Sequence, residues 1–173
     1  MNRFFLALSL LILLPGCAMT RNAEPLPAVD RVDIDQFSGK WYVMASTPSI
    51  FQGDPYNATQ TIERADRGFQ ITYQYNVNAP GGDRKTTTSQ MMIDNPGINT
   101  DWQIDHTWPI QTDMRVLYVE PDYSVAVLGN PNRSRLTILS RQPSIDPPLY
   151  SDLILKLQNL GYDVGRVRRV PHR

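Results

Sequence analysis

From Phe69 to Val77 the chain alternates without a break: Phe69, Ile71, Tyr73, Tyr75 and Val77 are apolar or aromatic, and Gln70, Thr72, Gln74 and Asn76 between them are polar. A period of two held over nine residues marks a strand with one buried and one wet face. The pattern recurs. Trp102, Ile104, His106 and Trp108 alternate with Gln103, Asp105 and Thr107, and Met114, Val116 and Tyr118 share one side of a third strand. Weaker versions run from Gly39 to Thr47, Asn57 to Arg64, Arg84 to Ile93, Tyr123 to Leu128, Leu136 to Arg141 and, briefly, Val164 to Val170. Turn-forming clusters separate them, among them Ala65-Asp66-Arg67-Gly68, Ala79-Pro80-Gly81-Gly82-Asp83, Asn95-Pro96-Gly97, Glu120-Pro121-Asp122 and Gly129-Asn130-Pro131-Asn132. Eight or nine short strands joined mostly by tight turns predict an all-β antiparallel up-and-down meander. Closing it into a barrel removes the exposed edges. Periodicity alone leaves a two-sheet sandwich standing beside the barrel.

One helix interrupts the strands. Leu149, Leu153, Leu157 and Leu160 recur at helical spacing with Ile154 beside them, Asp146 is placed to cap the start, Pro147 suits the first turn, and Gly161 stands where a glycine ends a helix. A single apolar stripe must pack on something, and the outer wall of the barrel is the available surface.

The first residues read as an address. Met1-Asn2-Arg3 is a short positive segment, Phe4 to Leu14 is an apolar run of eleven residues, and Gly16 precedes the single cysteine, Cys17. The run falls short of the roughly 20 residues that span a bilayer and has the layout of a secretory signal. Leu14-Pro15-Gly16-Cys17 resembles a bacterial lipobox, which implies cleavage before Cys17 and acyl chains on it, with outer-membrane sorting where Ala18 follows. The expected division is a lipoprotein signal peptide over 1–16, an acylated Cys17 and linker over 17–30, and a barrel over 31–173. A lone cysteine excludes an internal disulfide and a thiolate metal cluster. Seventeen basic residues against seventeen acidic ones leave no bulk charge for nucleic acid.

Three segments bring a family into view. Asp35-Gln36-Phe37-Ser38-Gly39-Lys40-Trp41-Tyr42 resembles the lipocalin signature around GxW, Glu120-Pro121-Asp122-Tyr123 is similar to the family's second conserved turn, and Leu139-Ser140-Arg141 to its third segment. With the lipobox in front, the chain resembles the bacterial outer-membrane lipocalin lipoproteins from about Val29 to Val170. The resemblance implies an eight-stranded barrel with an external helix and a short ninth strand. It makes Gly39, Trp41, Asp122, Tyr123 and Arg141 structural, with Arg141 lying over Trp41 at the closed end. It also implies an acyl-anchored protein on the outer membrane, at its periplasmic face, for which a homodimer is an expectation by analogy.

Function is then expected in the barrel interior, which in an eight-stranded barrel either fills with side chains or holds one small ligand. If Trp41 points inward, Val43 and Ala45 follow by parity. The other inward candidates are Phe69, Ile71, Tyr73, Tyr75, Trp102, Ile104, His106, Met114, Val116 and Tyr118, with Met91 or Met92 from the strand between. Such a wall suits a hydrophobic or amphipathic small molecule, a fatty acid or a lysophospholipid. No GxSxG, HExxH, phosphate loop or GxGxxG is present, so neither an enzyme nor a cofactor or metal is expected. Two rivals stand beside this reading: a barrel that acts on its ligand through His106, and a filled barrel serving as an envelope scaffold.

Overall fold

The structure is a computed structural model that describes residues 28–48, 54–106 and 109–173. The lipobox and Cys17, together with Phe51, Gln52, Gly53, Thr107 and Trp108, lie outside the described residues.

The strands are β1 (Gly39–Ser46), β2 (Pro55–Arg64), β3 (Phe69–Val77), β4 (Arg84–Ile93), β5 (Asp101–Asp105), β6 (Gln111–Val119), β7 (Val125–Gly129), β8 (Leu136–Ser140) and β9 (Arg168–Arg169). Each of β2 to β7 pairs antiparallel with the next, β8 pairs with β1, and β1 returns to β2 through Gly39↔Ile62 to Tyr42↔Thr59. The ring therefore closes. The barrel wins over the sandwich because the short turns link sequential neighbours all the way round. The strand read from Trp102 stops at Asp105, and His106 lies just beyond it, its amide bonded to the Ile110 carbonyl.

The helix α2 spans Pro147–Asn159. Asp146 caps it by accepting from the Leu149 amide, and Gly161 takes the left-handed φ of +86° that ends it. Leu153 and Leu157 press onto Val125, Val127 and Ile138 of the barrel's outer face, where each buried leucine contributes about 1.5–3 kcal/mol. A second helix, α1 (Ile34–Phe37), gives the sequence no periodic signal because it is a single turn. Asp33 starts it by accepting from the amides of Asp35 and Gln36.

The wall is sealed unevenly at β1. Beyond Tyr42 this strand leaves β2, and from Ala45 to Ser46 its flank is taken by β9. The tail continues the seal: the Val170 amide donates to Met44 O, His172 Nε2 donates to Val43 O, and the Asn57 amide donates to Pro171 O, all at 2.9 Å. Asn57 sits at φ +51°, where the start of β2 bends away to make room. Val170 is buried in the same core as Trp41.

Candidate functional site

Aromatic rings plug one end of the barrel. Phe37 stacks at 5.0 Å from both Trp41 and Trp102, and Tyr123 meets it edge-on at 6.4 Å. Both indoles are buried with their donors satisfied, Trp41 Nε1 on Phe37 O at 2.8 Å and Trp102 Nε1 on Asn99 O at 2.9 Å. Beneath this floor the Arg141 guanidinium lies 3.7 Å from the Trp41 ring centroid and donates to the carbonyls of Gln36, Phe37, Ser38 and Lys40. Gly39 beside it holds φ +92°, a conformation that L side chains resist. Asp122 accepts from the Ser124 amide and so turns the chain, and Tyr123 OH accepts from the Asp33 amide.

Above the floor the barrel is hollow. The cavity encloses about 180 Å³ and opens at the end opposite the plug. Its aliphatic lining is Val43, Ile71, Ile104, Met114 and Leu128, all members of the inner core. Polar groups share the wall: Ser89, Thr112 and Thr137 lie directly across from Ile71, Ile104 and Leu128, and Gln60, Ser46, Thr47 and Thr87 add to them. Arg135 completes the rim. Above Gln90, β4 has no strand partner on its β5 side among the described residues.

Six of the residues read as inward from sequence line this cavity: Val43, Ile71, Tyr73, Ile104, His106 and Met114. Phe69, Trp102 and Val116 point inward but belong to the packed core rather than to the cavity lining. Tyr75 is buried in the same core and borders a separate polar hollow shared with Asn57 and His172. Two expectations are corrected. Ala45 does not face the cavity, because a bulge between Val43 and Ala45 adds a residue to β1. Ala45 then packs under α2, and Ser46 takes the inward place. A second register shift, between Val116 and Tyr118, turns Tyr118 outward to the helix, where Lys156 lies over its ring at 5.0 Å. The choice between the paired methionines is also settled: Met91 is buried in the core, and Met92 is exposed.

His106 is the one imidazole on the cavity wall. Its Nδ1 shares a hydrogen bond with Ser89 Oγ at 2.9 Å, and its Nε2 is 3.2 Å from Thr112 Oγ1. Neither Asp101 nor Asp105 is hydrogen-bonded to the ring; Asp101 instead pairs with Arg115. Burial holds the His106 pKa below its ordinary value, Arg135 adds to that, and Asp105 opposes it. Burial, with Tyr75 beside it, pushes the Tyr73 phenol far up, so the hydroxyl stays protonated. The polar groups of the wall are therefore neutral at pH 7 apart from Arg135. Among the described residues no three His, Cys, Asp or Glu side chains gather as a metal site, and no helix is long and apolar enough to cross a membrane.

A closed eight-stranded cup, plugged by tryptophan at one end, hollow at the other and carrying a helix on its wall, defines a lipocalin-type β-barrel. Residues 32–172 match the family model described as a lipocalin-like domain, and the chain belongs to that family. It is 29% identical over 161 residues to temperature-induced lipocalin-1 of Arabidopsis thaliana, with 88% of this chain and 86% of the relative covered. It is 20% identical over 154 residues to the outer membrane lipoprotein Blc of Escherichia coli K12, covering 89% of this chain and 87% of that one. Among solved structures, insecticyanin from the tobacco hornworm Manduca sexta superposes with a TM-score of 0.64 at 14% identity, over 85% of this chain and 84% of that one. Lobster apocrustacyanin A1 gives 0.62 at 17% identity, over 88% and 92%.

Proposed function

We propose that the protein is an acyl-anchored lipid carrier of the bacterial envelope, which takes the chain of a fatty acid or lysophospholipid into its barrel for transport, storage or membrane maintenance. One observation carries this reading: the cavity wall combines aliphatic side chains with a set of hydroxyls, matching a ligand with a hydrocarbon end and a polar end. At about 180 Å³ it is smaller than the ~300 Å³ at which pockets for drug-sized ligands begin, so it encloses part of a lipid and leaves the head at the mouth. The chemistry is passive: burial of apolar surface at ~25 cal/mol per Å². Attachment at Cys17 fits the lipobox and the outer membrane lipoproteins among the relatives.

Native mass spectrometry of the chain from Ala18 onward, purified without detergent, tests the proposal. A lipid bound at one per protein and identified after extraction supports it. A protein that arrives empty and takes up neither added fatty acid nor lysophospholipid overturns it and leaves the scaffold.

A further inference from the structure

Among the described residues sixteen line the cavity; one of them carries a positive charge at neutral pH, and none is acidic. That residue is Arg135, just ahead of β8 at the rim. Among the described residues its guanidinium meets no carboxylate and makes no side-chain hydrogen bond, since both ion pairs lie elsewhere, Arg64 with Asp35 and Arg115 with Asp101. Its field nonetheless reaches His106 on β5's side of the mouth, where it adds to the lowering of that pKa.

An exposed arginine without a partner is ordinary on a protein surface, where water solvates it. Arg135 differs in position. It stands just ahead of β8 at the open end, beyond the Leu128–Thr137 pair, at the level where the head of a chain inserted tail-first must sit. Ser89 and Thr112, bonded to the His106 ring, put hydroxyls within the same mouth. An anion there gains a charge-assisted bond to a planar fork shaped for carboxylate or phosphate, and the described lining puts no carboxylate against it, Asp105 acting on His106 from outside that lining. A neutral head gains hydroxyl contacts alone, and a cationic head faces Arg135 with no acidic side chain in the described lining to offset it.

We infer that Arg135 selects the head of the ligand, so that the site prefers amphiphiles ending in a carboxylate or phosphate over uncharged chains of the same length. This rests on the carrier reading and sharpens it to anionic amphiphiles read by one residue.

The test uses the full chain carrying Cys17→Ser, titrated by calorimetry with dodecanoate, monododecyl phosphate and dodecanol below their micellar concentrations. The wild-type barrel is expected to bind one or both anions about tenfold more tightly than dodecanol. Arg135→Gln should erase that gap by weakening the anions, and Arg135→Lys should restore part of it. Added salt should weaken the anions and spare the alcohol. Comparison of dodecanoate with monododecyl phosphate tells whether a carboxylate or a phosphate head is the better fit; a preference for either supports the inference. Equal binding of anions and dodecanol by the wild-type protein overturns the head selection while the carrier reading stands. A gap that survives Arg135→Gln overturns the assignment to this residue. Failure of all three probes overturns the carrier reading itself. Unchanged circular dichroism and melting of Arg135→Gln, expected for an exposed side chain, exclude misfolding as the cause of any loss.

Discussion

Arg141→Ala asks how much of the barrel floor is held from beneath by a single side chain. The guanidinium lies 3.7 Å from the Trp41 ring centroid, a stacking worth ~0.5–2 kcal/mol. It donates to Gln36 O at 2.6 Å, Phe37 O at 3.2 Å, Ser38 O at 2.9 Å and Lys40 O at 2.8 Å. The carbonyls of Gln36 and Phe37 belong to the last turn of α1, where no helical amide reaches them. A buried bond to a charged donor contributes ~1.5–3 kcal/mol. Two of these four are exposed, however, and water replaces the donor there, so the set together is worth about 2 kcal/mol rather than its sum. The total for Arg141→Ala is a loss of about 3 kcal/mol, a large share of the ~5–15 kcal/mol that holds a domain together. With a urea slope of ~1–3 kcal/mol per M, the midpoint should fall by roughly 1–3 M, read from tryptophan fluorescence. Arg141→Lys keeps the charge without the planar fork and should recover less than half of the loss. A loss below about 1 kcal/mol, the size of an ordinary substitution, or a lysine variant equal to wild type, would refute the reasoning.

Three further outcomes follow from the geometry. A Cβ on Gly129 would stand 2.3 Å from Tyr162 OH and 2.6 Å from Leu117 Cδ1, so Gly129→Ala should cost about 1–3 kcal/mol by thermal unfolding, whereas Gly81→Ala, with open space around it, should be near neutral; equal melting points for the two variants would contradict the packing described. Ser46→Phe should block uptake of dodecanoate with little loss of stability, while Ala45→Leu should destabilise the helix-side core by about 1–3 kcal/mol and spare uptake; the opposite pairing would show that the β1 bulge is misplaced. The His106 pKa is lowered in the folded state by burial and then by Arg135, so as pH falls through the unfolded value of 6.5 the unfolded chain takes up a proton that the folded chain declines. Stability therefore drops from pH 6.5 down to the lower folded pKa, and His106→Gln should flatten that part of the urea-midpoint profile; identical profiles for the two proteins would sink the point.

Much of the fold is legible because its periods are long and regular. The alternation from Phe69 to Val77 fixes β3 to the residue, and the Asp146 and Gly161 signals bracket α2. The site is less legible. Parity carries Val43, Ile71 and Tyr73 to the cavity, yet it fails at Ala45 and Tyr118, where one extra residue in a strand reverses every later side chain. Nothing in the local sequence announces those bulges. The polar part of the wall was hidden for a different reason: Thr86, Thr87 and Thr88 show no alternation, although Thr87 points inward. Arg135 stands next to a turn, outside any periodic run, and only the closed ring brings it opposite His106.

The seam along β1 bears on how the chain reaches this state. The first strand made takes its bonds from β2 nearby, from β8 about a hundred positions on, and from the tail, where His172 and Val43 lie 129 residues apart. Contacts so distant in sequence are slow to form, because the intervening chain must be ordered before they return anything. Until Arg168 and the residues after it arrive, the upper flank of β1 is an open edge, able to pair with any extended segment that meets it. The earliest strand is thus the one that waits longest, and a delay in synthesis or export late in the chain would be felt first at its beginning.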